Sequence, residues 1–149
     1  MLGQALFKAP PGLPGVQDTP IMTDNLAVLV VEDEVLILLD VVWQLEAEGI
    51  KVYQASNADA AVEVLSKHSD IGLIFTDIDM PGSMDGLKLT AAVRHRWPPV
   101  KIIATSGYHH IDVADLPQGS AFFRKPYLHQ AILRSIRGML SEGTVPQRP

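Results

Sequence analysis

The stretch FTDIDMPGSMDG, Phe75 to Gly86, leaves an apolar run, passes Asp77 and Asp79, turns at Pro81-Gly82 and reaches a third aspartate, Asp85. The segment IGLIFT (Ile71 to Thr76) has the unbroken apolar character of a strand buried on both faces. A carboxylate at the end of such a strand is costly unless a cation or hydrogen-bond donors pair with it. The rest of the chain has to supply those partners.

Working outward, strand and helix patterns alternate. LAVLVV (Leu26 to Val31) is a second buried strand, and EVLILLDVVWQLEAEG (Glu34 to Gly49) is long enough for a helix that stops at Gly49. IKVYQA reads as a strand, and NADAAVEVLSKH as a helix capped by Asn57. DGLKLTAAVRHRW, opened by Asp85 and Gly86, is a helix that ends before Pro98-Pro99. VKIIAT and AFFRK are strands. LHQAILRSIRGMLSEG is a last helix, with Leu128, Ile132, Ile136 and Met139 on one stripe. Between Ser106 and Ser120 any helix is short, because Pro117 and Gly119 follow. Five alternations predict a parallel sheet covered on both faces, with right-handed crossovers. Ligands of such folds sit beyond the carboxyl ends of the strands, at a topological switch point.

The strand ends carry Glu32, Asp33 and Glu34; Asp77 and Asp79; Thr105 and Ser106; Lys125 and Pro126. Oxygen ligands of this kind suit a hard cation such as Mg²⁺. They also suit a phosphoryl group, whose oxygens call for a metal, a cation and a donor. A carboxylate among them is a candidate nucleophile that forms an aspartyl phosphate. Taken singly, the acidic triplet also fits a helix cap, Thr105-Ser106-Gly107 a turn, and Lys125 a surface lysine.

Four blocks, VLVVEDE, LIFTDIDMPGSMDG, IIATSGY and FFRKPY, resemble the signature blocks of response-regulator receiver domains of bacterial two-component signalling, across residues 26–141. The resemblance implies a flavodoxin-like, doubly wound α/β fold with five parallel strands in the order 2-1-3-4-5. It implies that Asp77 accepts a phosphoryl group from a histidine kinase or phosphotransfer protein. Glu32, Asp33, Asp77 and the backbone carbonyl of Asp79 would hold Mg²⁺ or Mn²⁺. Thr105 and Ser106 would serve the phosphoryl oxygens, Lys125 would pair with Asp77, and Phe122 would be the aromatic switch. Lys125-Pro126 would be a cis bond. Such a domain acts in the bacterial cytoplasm, through contacts with a downstream protein.

Three features depart from the family pattern. Ser83 lengthens the turn to MPGSMDG. Asp79 adds a charge two residues past the phosphoacceptor, where it either hinders or positions attacking water. The fourth-helix region is short and broken by Pro117. The first helix also carries a second apolar stripe, Leu36, Leu39 and Trp43, opposite its core stripe of Ile37, Val41 and Leu45. It is covered by the N-terminal tail or a neighbouring loop, or it serves as a docking or homodimer face.

The expected organisation is a Pro- and Gly-rich tail (1–24), a stand-alone receiver (25–142) and a short tail (143–149). The chain has 149 residues, 47% hydrophobic, enough for one core. A net charge of -5 argues against a nucleic-acid surface. The absence of cysteine excludes disulfides and thiolate chemistry. No apolar run reaches membrane-span length. His109 and His110 lack acidic or cysteine partners at ligand spacing.

Two other functions compete. DID at Asp77–Asp79 resembles the nucleophile motif of haloacid-dehalogenase-like phosphatases, but Pro81 stands where that family has threonine, and the acidic pair precedes the nucleophile. A receiver-shaped binding module that is never phosphorylated would lack Asp77, Asp33 or Lys125, and all three are present.

Overall fold

The computed structural model describes residues 26–80, 85–107 and 112–143. Its elements are β1 (Ala27–Val31), α1 (Val35–Ala47), β2 (Val52–Ala55), α2 (Ala58–Lys67), β3 (Ile71–Asp77), α3 (Gly86–Arg96), β4 (Lys101–Ser106), β5 (Ala121–Arg124) and α4 (His129–Gly143). All strand pairs are parallel, in the order β2-β1-β3-β4-β5. The expected sheet and order are therefore found. The chain winds from β1 to β2 in one direction and from β3 to β5 in the other. The switch point lies between β1 and β3, where Glu32, Asp33 and Asp77 emerge.

The period of two divides each central strand between two cores. Ala27, Leu29, Val31, Ile74 and Ile102 pack with α2 and α3 through Ala58, Ala61, Leu65, Leu89 and Val93. Val28, Val30, Leu73, Phe75 and Ile103 pack with α1 and α4 through Leu38, Val41, Leu45, Ile132 and Ile136. Full burial of one such side chain stabilises by about 1.5–3 kcal/mol. The sheet end that carries the carboxylates thus rests on two apolar layers.

Local chemistry sets the helix ends. Asn57 accepts from the amide of Ala60 at 2.7 Å, and Asp85 from the amide of Lys88 at 2.9 Å, as N-caps do. Gly49 adopts φ +83 after α1, the left-handed turn that glycine permits.

The last helix differs from its expected stripe. Leu128 precedes the first turn of α4 and is 76% exposed, whereas Leu133 and Leu140 join Ile132 and Ile136 in the core. Helical spacing does not apply to a residue outside the helix. The region between β4 and β5 contains, among the described residues, one 3-10 turn at Val113–Asp115. Asp112 and Asp115 cap it reciprocally. No helix among the described residues is long and apolar enough to cross a membrane. Ser83, His109, His110 and the residues before Leu26 lie outside the described residues.

Candidate functional site

β1 and β3 end side by side, with Val31 in register with Thr76. The residues that follow turn their carboxylates toward one another. Oxygens of Glu32, Asp33 and Asp77 lie within 4.8 Å of one another. Glu32 and Asp77 are buried, and Asp33 is half-buried.

Lys125, just past β5, bridges the two buried members. Its Nζ donates to Asp77 Oδ2 at 3.1 Å and to Glu32 Oε1 at 3.4 Å. The other oxygen of each acid takes a backbone donor. Glu32 Oε2 accepts from the Glu34 amide at 3.1 Å, and Asp77 Oδ1 from the Asp79 amide at 3.0 Å. Glu34 itself makes no side-chain cap on α1.

One ammonium among three carboxylates leaves an excess of negative charge. Burial pushes the Glu32 carboxyl up to about 7; the Glu34 amide and Lys125 oppose this, and the charge of Asp77 adds to it. Burial works against the Lys125 ammonium, but Asp77 and then Glu32 outweigh it and hold its pKa above the ordinary lysine value. A divalent cation would neutralise the remaining excess. An all-oxygen donor set suits Mg²⁺ or Mn²⁺.

β4 supplies the opposite wall. Thr105 is buried and in register with Asp77, and its carbonyl accepts from the Ile78 amide at 2.8 Å. Phe122 on β5 is half-buried against Ile78, Ala104 and Leu116. The Lys125-Pro126 bond is cis.

Two features escaped the sequence reading. Gly86 starts α3 directly over the phosphoacceptor candidate: a Cβ there would stand 2.5 Å from Asp77 O and 2.4 Å from Ile78 Cα. Only glycine permits that approach. The Asp79 carboxylate, in turn, accepts from Ser106 Oγ at 3.0 Å and from the Gly107 amide at 2.8 Å. Neither relation has a local sequence signal, since each joins elements that meet only in the fold.

Beside the site runs a groove of about 750 Å³ between α1 and the segment after β5, lined by Leu36, Ile37, Gly107, Lys125 and Tyr127. The stripe beside it stays uncovered among the described residues: Leu36 is 81% exposed, Trp43 69% and Leu39 50%.

The family described as the response regulator receiver domain matches residues 28–137. The chain belongs to this family. Curated relatives of this receiver domain include the nitrogen assimilation regulatory protein NtrX of Azorhizobium caulinodans, 35% identical over 67% of this chain and 23% of that protein. The transcriptional regulatory protein FixJ of the same organism is 30% identical over 80% of this chain and 57% of its own. The chain thus spans about a quarter to somewhat over half of these relatives. Among solved structures, the receiver domain of NtrX from Brucella abortus is 29% identical with a TM-score of 0.69, covering 76% of this chain and 97% of that one. A receiver domain protein from Clostridium thermocellum shares the fold at a TM-score of 0.76 and 22% identity, covering 82% of this chain and 99% of that one.

Proposed function

We propose that this receiver domain accepts a phosphoryl group on Asp77 from a phosphohistidine of a histidine kinase or phosphotransfer protein. The observation that carries the reading is the Lys125–Asp77 contact at 3.1 Å, set beside the three clustered carboxylates. In the transfer, the phosphorus–nitrogen bond of the donor breaks and a bond from phosphorus to an Asp77 oxygen forms. Such transfer depends on positioning and charge neutralisation.

Glu32, Asp33, Asp77 and the Asp79 carbonyl would hold Mg²⁺ or Mn²⁺, which when bound offsets negative charge on donor and acceptor. Lys125 neutralises Asp77 and then the attached phosphoryl group. Thr105 and Ser106 offer donors from β4, and Phe122 moves into the space that Thr105 leaves. Phosphorylation in this way biases a two-state element. The folded unit is assigned to residues 25–142, between two tails.

The exposed stripe Leu36, Leu39 and Trp43 is assigned to docking of the phosphodonor, because it adjoins the groove that leads to Lys125. Output goes to a downstream protein in the bacterial cytoplasm. The chain assists its own phosphorylation and dephosphorylation and turns over no other substrate.

Incubation with acetyl phosphate and Mg²⁺, followed by intact-mass measurement of the wild type and Asp77→Ala, tests this. One phosphoryl group per chain, absent from Asp77→Ala, is expected. Repeated turnover of phosphate esters would indicate a phosphatase, and no reaction a binding module.

A further inference from the structure

Asp79 links Asp77 to the end of β4, through its backbone amide on one side and its carboxylate on the other. Its amide donates to Asp77 Oδ1 at 3.0 Å. Its oxygens accept from Ser106 Oγ at 3.0 Å and from the Gly107 amide at 2.8 Å. Ser106 is fully buried, so the bond from its hydroxyl is partly shielded from water, while the Gly107 amide bond lies at the exposed edge of the site. Bonds to an ionised acceptor are about twice as strong as neutral ones. On its other side the same β4 end is tied to Lys125, whose amide donates to Ser106 O at 3.0 Å. A Cβ on Gly107 would lie 3.4 Å from the Lys125 stem.

We infer that Asp79 is a positioning residue: a built-in anion that latches the end of β4 in the resting arrangement. This rests on Asp77 being the phosphoacceptor. Thr105, in register with Asp77, immediately precedes the two latched residues. A phosphoryl group on Asp77 brings a second anion, with three acceptor oxygens, to the same strand end. The two anions compete for one set of donors and repel each other. β4 can turn its donors to the phosphoryl group only as Asp79 gives them up. The latch therefore sets the free-energy gap between resting and active states, and with it the fraction of chains competent to hold the phosphoryl group.

The test uses beryllofluoride with Mg²⁺ as a non-covalent phosphoryl mimic, on the full chain. Wild type, Asp79→Asn, Asp79→Ala, Ser106→Ala and the double variant Asp79→Asn/Ser106→Ala are compared by titration, thermal melting and the ¹H–¹⁵N signal of Gly107. Each variant keeps the Asp79 backbone carbonyl. The latch predicts that Asp79→Asn binds the mimic about tenfold tighter while melting lower without it. The Gly107 amide proton moves upfield in that variant, and in wild type the Gly107 signal shifts on adding the mimic, as the amide leaves Asp79. Asp79→Asn has a smaller effect when Ser106 is already alanine, because the two act through one contact. A purely structural brace would lower melting temperature and affinity together. Unchanged or weaker binding by folded Asp79→Asn and Asp79→Ala, with wild type binding normally, overturns the latch. Failure of wild type to bind the mimic overturns the phosphoacceptor reading instead, and the latch with it.

Discussion

Lys125 Nζ touches the carboxylates of Asp77 and Glu32 at once, at 3.1 and 3.4 Å, joining the ends of β3 and β1 to the segment after β5. A single ammonium thus bridges two buried acids. In Lys125→Met both acids keep their backbone donors and lose their cation. We expect phosphorylation by acetyl phosphate to slow at least tenfold, since the charge that offsets donor–acceptor repulsion is gone. Stability should fall by about 1–3 kcal/mol, below the full cost of breaking a buried pair because the lysine is partly exposed. Urea unfolding and a phosphorylation time course measure the two effects.

Glu32 gives the site a pH dependence of defined sign. Burial pushes its carboxyl up to about 7 from an ordinary 4.5. Between these values the unfolded chain is ionised at Glu32 while the folded one holds the proton. Metal-free stability should therefore decline from about pH 4.5 to 7 through this group, by about 2–3 kcal/mol, and level off above. Mg²⁺ has to displace that proton, so its affinity should rise over the same window. Glu32→Gln should remove Glu32's contribution to both slopes. Calorimetric Mg²⁺ titrations and melting curves at several pH values check this.

Gly86 and Gly138 are predicted to respond in opposite directions to alanine. A Cβ on Gly86 meets Ile78 Cα at 2.4 Å and Asp77 O at 2.5 Å, so backbone has to shift directly beneath the site. We expect Gly86→Ala to cost about 2–4 kcal/mol and to slow phosphorylation. Gly138 lies inside α4 with nothing within 4 Å of the added Cβ. Gly138→Ala should stabilise by about 0.5–1 kcal/mol and leave phosphorylation unchanged. Denaturation midpoints separate the two.

The exposed stripe on α1 separates docking from chemistry. Trp43 and Leu36 are largely exposed and outside the carboxylate cluster. Trp43→Glu and Leu36→Glu should change stability by less than about 0.5 kcal/mol. They should leave acetyl-phosphate labelling intact and reduce transfer from a phosphorylated histidine kinase at least tenfold. Unimpaired transfer from the kinase would show that this face does not dock the donor.

Much of this arrangement was legible in the sequence because its causes are local. Apolar runs such as Leu26 to Val31 announce buried strands, and Asn57 and Asp85 announce helix starts. The parallel topology then brings the residues at strand ends together, which is why Glu32, Asp77 and Lys125 could be grouped before any distance was known. What stayed hidden depends on tertiary contact. Ser106 and Asp79 are 27 residues apart and meet only when β3 and β4 pair. The tight seat of Gly86 needs α3 pressed on Ile78. Leu128 misled because its spacing matches the α4 stripe although the helix begins one residue later.

The most direct test of the central claim is intact-mass analysis after exposure to acetyl phosphate with Mg²⁺, on wild type, Asp77→Asn and Asp33→Asn. The account predicts one phosphoryl group per wild-type chain, sensitive to hydroxylamine as an acyl phosphate is. It predicts none on Asp77→Asn and slower labelling of Asp33→Asn. Labelling that persists undiminished in Asp77→Asn, or a wild type that stays unlabelled in Mg²⁺, would contradict it.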